Sequence, residues 1–129
     1  MIENFRQFEA KDPFDRVWRV EFRWQQNAIS IRHSDSVDCK YYLATSDETR
    51  EMVIALMHAE LLAVAAEQGR ELTDAWCLHL AGLHLEYMIT TWEDMDKTIV
   101  TVPRQDLVRH SLTLEAAARK DRERALYTH

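Results

Sequence analysis

Apolar and polar residues alternate from Trp18 to Leu43, and this period of two predicts β-strands. The pattern is interrupted at residues 26–27 and at residues 34–36, where polar residues typical of turns occur. A two-residue turn and a three-residue turn at these positions would divide the segment into antiparallel strands. We therefore predict three strands, over residues 18–24, 29–33 and 37–43.

Charged residues support this predicted pairing. With these two turns, Arg32 lies opposite Glu21 on one neighbouring strand and opposite Asp38 on the other. Opposite charges directly across a ladder stabilise strand pairing, and the apolar residues then share the other face. The pattern thus predicts a three-stranded antiparallel meander with one apolar face and one salt-bridged face. The polar face would also carry Arg19, Arg23, Lys40 and Tyr42.

Two long apolar segments follow the meander and predict a pair of helices. Thr45-x-x-Glu48 matches a capping box, so the first helix is predicted over residues 47–68, with Gly69 as its stop. The second helix is predicted over residues 74–93. Neither segment has a wide polar face. Both helices therefore need cover from the sheet, from each other or from a second copy of the chain.

The remaining segments complete a single α+β domain. Residues 1–13 predict an N-terminal arm or short helix, and the β-branched residues 98–102 predict a fourth strand or an extended linker. Pro103 predicts the start of a C-terminal helix, and residues 119–129 predict a solvated tail. The predicted fold is a meander packed by an apolar helix pair and a C-terminal helix, within one domain over residues 1–129.

Composition excludes several classes of function. The chain has two glycines, where average usage in 129 residues would give about nine. Phosphate-binding loops, dinucleotide-binding turns and nucleophile elbows need glycines at fixed spacings, so these classes are excluded. Residues 46–100 hold three basic and eleven acidic side chains, a balance of −8. This acidic middle repels phosphate and disfavours nucleic acid as a partner.

The sequence predicts a cytoplasmic protein without membrane contact. The charged N-terminus lacks the apolar centre of a signal peptide, and no segment is apolar over the length of a membrane span. Cys39 and Cys77 lie in apolar patterns, which is typical of reduced thiols in a core.

Three polar residues in apolar surroundings form the candidate site. His58 and Glu60 interrupt the first predicted helix and point about 200° apart, so at least one should be buried or at an interface. His84 lies on the apolar side of the second predicted helix and is the best candidate partner for Glu60. Two interpretations stay open: a hydrogen-bonded core pair, or a metal or acid/base site built from Glu60, His84 and His58.

Established metal-binding spacings are missing from the chain. The sequence has no HExxH motif, no EF-hand loop and no Pro-Cys-x-x-Cys, so we expect neither a metal nor a cofactor. The acidic residues Glu93, Asp94 and Asp96 are interpreted as a solvated helix end. His110 is interpreted as a surface histidine.

Two functions from different classes follow. The first is a non-enzymatic, small acidic binding or assembly module that acts as a homodimer, because the excess apolar helix surface needs a partner. Its acidic middle would also suit a basic protein partner. The alternative is an enzyme or a small-ligand or metal sensor with a site around Glu60 and His84.

Overall fold

Five strands form one mixed sheet, and three helices complete the α+β fold that the sequence predicts. The fold is given by a computed structural model that describes residues 2–29 and 35–127. The elements in chain order are β1 (Gln7–Lys11), β2 (Val17–Ile29), β3 (Asp35–Ala44), β4 (Thr49–Met57), α1 (His58–Glu67), α2 (Asp74–Thr91), β5 (Ile99–Thr101) and α3 (Arg104–Tyr127).

The sheet is a four-stranded antiparallel meander with one parallel strand added. Its strand order follows the chain from β1 to β5, and β5 pairs parallel to β4. A parallel partner requires a crossover connection, which α1 and α2 supply. Buried residues of all three helices belong to one core cluster together with the inward residues of the strands, so the helices lie on one side of the sheet.

The predicted turn at residues 26–27 is wrong, because β2 continues through it as one long strand. Gln26 pairs with Asp38 inside the β2–β3 ladder, and Glu21 pairs with Tyr42. Arg32, on which the predicted register depended, lies outside the described residues. Gln-Asn lacks the glycine that a two-residue hairpin turn favours, so extended backbone is the better local conformation there.

A β-bulge explains why the alternation changes phase inside β2. Phe22 pairs with Tyr41, but the next pair is Trp24 with Lys40, which leaves Arg23 as an extra residue. A bulge re-aims the side chains that follow it. Trp24, predicted on the apolar face, is therefore on the opposite face and is 38% exposed.

The predicted helix over residues 47–68 is also wrong in its first half, which forms the central strand β4. The Thr45-x-x-Glu48 pattern makes the β3–β4 turn, where the Thr45 N–H donates to the Glu48 carbonyl oxygen at 2.9 Å. A short continuous apolar run fits a buried strand as well as a helix. Helix α1 begins only at His58.

Other elements match the predictions more closely. Helix α2 starts after Thr73, whose hydroxyl oxygen accepts a hydrogen bond from the Trp76 N–H at 3.1 Å, and the predicted strand near residues 98–102 is β5. At the N-terminus, β1 replaces the predicted arm or short helix. Residues 119–126 of the predicted tail are exposed, and the chain is helical as far as Tyr127.

The core contains two of the four tryptophans and both cysteines. Trp18 and Trp76 are buried, and Cys39 and Cys77 are buried free thiols, as predicted. Burial raises the pKa of the Cys39 thiol to about 12 and that of the Cys77 thiol to about 11. Neither thiol is therefore ionised near neutral pH, and neither is activated as a nucleophile.

Tyr41→Phe is expected to leave the free energy of unfolding unchanged or to raise it by about 1 kcal/mol. The Tyr41 hydroxyl is fully buried in the core and has no hydrogen-bond partner among the described residues. Tyr42→Phe, on the opposite face, is the control and should change stability by less than about 0.5 kcal/mol. Urea unfolding midpoints measure both. A clear loss for Tyr41→Phe would show that its hydroxyl has a partner, such as a buried water.

Candidate functional site

The structure does not bring the three predicted site residues together. Glu60 on α1 is 38% exposed and lies 3.6 Å from the Arg104 guanidinium of α3. His84 on α2 is buried and faces α3 through a different contact. His58 is half-buried at the first turn of α1. The predicted pairing of Glu60 with His84 is therefore not formed.

Helix α1 is less covered than the sequence suggested. Leu62 is 50% exposed, so the helix has a solvent-facing side. Arg104 also binds Glu67 at 2.8 Å, and its two ion pairs link the surfaces of α1 and α3. Exposed pairs of this kind contribute little to stability. Glu60 is thus partly exposed, but its Oε2, the atom nearest Arg104, is buried and accepts no hydrogen bond from the described residues.

The partner of His84 is His110, which the sequence analysis placed on the surface. His84 Nδ1 lies 3.1 Å from His110 Nε2, and both side chains are buried between α2 and α3. At this distance one ring nitrogen donates its proton to the other, so at least one imidazole is neutral. Tyr87 lies beside the pair, with its ring centroid 5.9 Å from that of His84.

Both histidines are held in the neutral form. Burial lowers the pKa of His110 to about 4, and the neighbouring His84 and Arg109 act in the same direction. Burial also lowers the pKa of His84, although Asp106 partly opposes this effect. The pair therefore packs two helices as neutral imidazoles and becomes unfavourable when protonated.

A second buried polar group, Asp12, organises the loop between β1 and β2. Its Oδ1 accepts hydrogen bonds from the N–H groups of Phe14 (2.8 Å) and Arg16 (3.0 Å). Its Oδ2 accepts from Arg16 Nε (2.7 Å) and Trp18 Nε1 (3.0 Å). Burial alone would raise the pKa of Asp12, but these bonds outweigh it and lower the pKa to about 2.

Arginines and tryptophans surround this carboxylate. The guanidinium groups of Arg16 and Arg50 lie 5.0 and 5.3 Å from the Trp92 ring centroid, and both arginines also pair with Glu48. The carboxylates of Asp12 and Glu48 therefore balance the two guanidinium groups. The cluster therefore has no net charge, and we interpret it as a structural link between β2, β4 and the end of α2.

The side of the sheet away from the helices is not covered by any of the described helices, and we call it the open face. It consists of the outward side chains of the five strands. Its central members are Val17, Arg19, Glu21, Trp24, Lys40, Tyr42, Glu51, Val53, Met57 and Ile99.

Polar residues of the open face pair with one another, as the sequence analysis expected for this side. Arg23 lies 3.6 Å from Glu21 and stacks over Tyr42, with 5.0 Å between the guanidinium carbon and the ring centroid. Lys40 lies 3.1 Å from Glu51. Because acids neutralise these cations, the face is not a basic surface for nucleic acid.

Large apolar side chains also lie on the open face. Val17 is 48% exposed, Trp24 is 38% exposed and Ile99 is 63% exposed. These are three of the seven large apolar side chains that are exposed in the described part of the chain. Trp24, Lys40, Val53 and Ile99 lie in one row across the sheet, whereas Val17 lies seven residues from Trp24 along β2. A row of this kind, with apolar side chains beside paired charges, has the composition of a protein interface.

The described residues provide little for other kinds of site. Within residues 2–29 and 35–127, no three His, Cys, Asp or Glu side chains are grouped closely enough to hold a metal ion. The acidic end of α2 is partly neutralised, since Asp94 binds Lys97 at 3.0 Å and Glu93 accepts a hydrogen bond from the Tyr87 hydroxyl. None of the described helices has both the length and the apolar composition of a membrane span.

Comparison with known proteins leaves the open face as the main guide to function. No protein-family model, no curated protein and no solved structure matches this chain.

Proposed function

We propose that the protein is a non-enzymatic assembly module that acts as a homodimer through the open face of its sheet. The observation that carries this proposal is the open face itself, where Val17, Trp24 and Ile99 are exposed and all the helices pack on the other side. Trp24 and Ile99 lie in the same row of the sheet, where a second copy could cover both. We place the module in the cytoplasm, where a reducing environment keeps Cys39 and Cys77 as thiols.

The size of the open face suits a stable dimer. Strands spaced about 4.8 Å apart, with an average length of about 25 Å, give a five-stranded face of roughly 600 Å² in projection. The accessible area of side chains is larger than this projection, and a standard interface takes about 800 Å² from each partner. The open face can therefore supply most of one interface.

Charge favours a second copy as the occupant. The face carries cations and anions side by side, as in the pairs Arg23–Glu21 and Lys40–Glu51. In a two-fold interface each cation can meet an anion of the second copy. A strongly basic or strongly acidic partner would meet like charges at half of these positions.

The structure changes the reason for expecting a dimer. From the sequence, two helices with excess apolar surface were expected to form the dimer, but half of the first segment is strand β4 and most of α2 is buried. The uncovered apolar surface is on the sheet instead. The alternative function needs Glu60 and His84 in one site, whereas they face Arg104 and His110, so no observation favours it.

The purified protein is expected to sediment as a dimer at micromolar concentration. Ile99→Glu should weaken this dimer at least about tenfold, because it places a charge in the apolar part of the open face. Leu126→Glu is the matched control, since Leu126 is 75% exposed on α3 and should leave the dimer unchanged. Analytical ultracentrifugation measures the mass, and circular dichroism confirms the fold. A monomer mass for the parent, or equal weakening by both variants, would overturn the proposal.

A further inference from the structure

One edge of the sheet lacks the protection that the other edges have. Strand β1 places Glu9 and Lys11 along its edge, and β5 is only three residues long and is followed closely by Pro103. Charges, shortness and proline are the usual means of preventing unwanted strand pairing. Residues 24–29 of β2, in contrast, contain neither a charge nor a proline. In the described chain they pair with β3 alone.

The N-terminal segment leaves this edge open by turning away. The Phe22 N–H donates to the Arg6 carbonyl oxygen at 2.8 Å, and at this point the N-terminal segment ends its pairing with β2. The chain then crosses to α2, where Phe5 stacks on His79 with 4.2 Å between ring centroids. Gly82 permits this path, because a Cβ there would lie 2.9 Å from the Phe5 ring. The position for a further strand beside residues 24–29, in line with β1, is thus not occupied by any described residue. We call this position the empty lane.

The ladder shows which backbone groups face the empty lane. The Val53 N–H donates to the Thr98 carbonyl oxygen at 2.9 Å, so Lys40, opposite Val53, directs its own N–H towards β2. Trp24, opposite Lys40, therefore bonds to β3. By the alternation along a strand, the N–H and C=O groups of Gln25 and Asn27 point into the empty lane. Among the described residues these groups have no hydrogen-bond partner, and they have the spacing of a β-ladder.

A groove of about 530 Å³ runs beside this edge. Its apolar lining includes Phe22, Ala75 and Leu78, on the helix side of the sheet. Its charged lining is one cation and one anion, Arg6 and Asp74. These two charges balance, so the groove has no net charge that would select a charged segment.

We propose that this edge binds one extended peptide segment of a partner protein, which adds a strand in line with β1 and antiparallel to β2. Unpaired backbone groups at β-spacing are matched by another extended backbone. The segment is uncharged, and every second side chain is apolar so that it packs on Phe22 and Leu78. This binding site is separate from the open face and goes beyond the proposed dimer.

A second copy of β2 is a poorer occupant of this lane. The start of α2 lies against the edge, since Gln25 Nε2 donates to the Asp74 carbonyl oxygen at 3.2 Å. A second copy paired through the same edge would bring its own α2 with it. The exposed Asp74 carboxylates of the two copies would then lie near each other.

The test uses a phage-displayed library of random dodecapeptides, selected against the full chain. We expect enriched peptides with alternating apolar residues, and we expect them to perturb the amide resonances of Gln25 and Asn27. Asn27→Pro removes a lane-facing N–H and keeps the β3 ladder, because proline is tolerated where the N–H faces away from the ladder. It should weaken peptide binding at least about tenfold. Asn27→Ala keeps the backbone N–H and should therefore bind the peptide more tightly than Asn27→Pro does.

Several results would overturn the proposal. These are the selection of no binding peptide, peptides that bind Asn27→Pro as well as the parent, and peptides that perturb only residues away from β2. A fall in sedimenting mass with Asn27→Pro would show that a second copy occupies the lane. If Asn27→Pro does not fold, the peptide affinity of Gln25→Pro is measured in its place. The amide resonances of the parent with bound peptide then show whether the peptide lies beside β2. Failure of Ile99→Glu to break the dimer leaves these outcomes unaffected.

Discussion

Asp12→Asn is expected to lower the thermal unfolding midpoint by roughly 10 °C, although it preserves the size of the side chain. The Asp12 carboxylate is buried, and its Oδ2 accepts hydrogen bonds from Arg16 Nε and Trp18 Nε1. An asparagine that keeps its oxygen on the N–H groups of Phe14 and Arg16 turns its NH₂ group towards these two donors. The buried Trp18 N–H then faces another donor and has no acceptor, which is costly in a core.

Asp15→Asn is the matched control, because it makes the same chemical change in the same loop. The Asp15 side chain is 86% exposed and pairs with Lys11 at 3.2 Å. Its φ of 68° is a conformation that asparagine also adopts readily. Calorimetry should therefore show a shift of less than about 2 °C. Equal losses from both substitutions would show that the charge of the loop matters and the buried bonds do not.

The difference between the parent and Asp12→Asn should also depend on pH. The pKa of Asp12 is lowered from 3.8 to about 2 in the folded protein. The stability that the ionised carboxylate contributes is therefore complete above pH 3.8, and it is lost as the pH falls through about 2, the pKa in the folded protein. The two proteins should converge in stability in strong acid.

Elements with a single dominant local signal could be predicted from the sequence. Helix α2 has Thr73 as an N-cap before its apolar residues, and β5 lies in a segment of β-branched residues. Strand β3 shows unbroken alternation of buried and partly buried residues. In each case local preference and tertiary environment favour the same structure.

The remaining elements depend on contacts that are distant in sequence. Strand β4 is apolar on both faces, since Val53, Ala55 and Met57 lie on the open face and alternate with Met52, Ile54 and Leu56 on the core face. Its periodicity therefore resembles that of a buried helix. The bulge at Arg23 reverses the faces of β2 without any proline or glycine to mark it. As a result Trp24 lies on the open face, whereas the alternation in the sequence predicts it on the core face.

His110 was missed although a signal for it exists. Leu107, His110, Ser111 and Leu114 have the spacing of one helix face, so the stripe that buries Leu107 and Ser111 also buries His110. The identity of its partner could not be read from the sequence. That partner depends on the crossing of α2 and α3, and spacing within one helix does not determine how two helices cross.

Acidification from about pH 7 to about pH 4.5 is expected to reduce the free energy of unfolding by about 2 kcal/mol. His84 and His110 both have an ordinary pKa of 6.5, and burial lowers the pKa of each in the folded chain, that of His110 to about 4. The unfolded chain therefore binds more protons in this range. The stability that the neutral histidine pair contributes is complete above pH 6.5 and is lost as the pH falls towards 4.

The charged groups around the pair reduce this effect without reversing it. Asp106, Glu93 and Asp94 favour protonation of His84, whereas Arg109 opposes it. Burial is the largest cause for both histidines, and a proton on each ring would place two cations across a 3.1 Å contact. Protonation should therefore separate α2 from α3 at this point before the rest of the core unfolds.

His110→Gln tests this account, because a glutamine amide can still bond to His84 Nδ1 but does not titrate. The variant should lose at least about half of the pH dependence, measured by urea unfolding at a series of pH values above 4.5, where Asp12 stays ionised. His58→Gln is the control: it removes a half-buried histidine at the start of α1, outside the pair, and should keep the pH dependence of the parent. Full pH dependence in His110→Gln, or its loss in His58→Gln, would show that the acid sensitivity arises elsewhere.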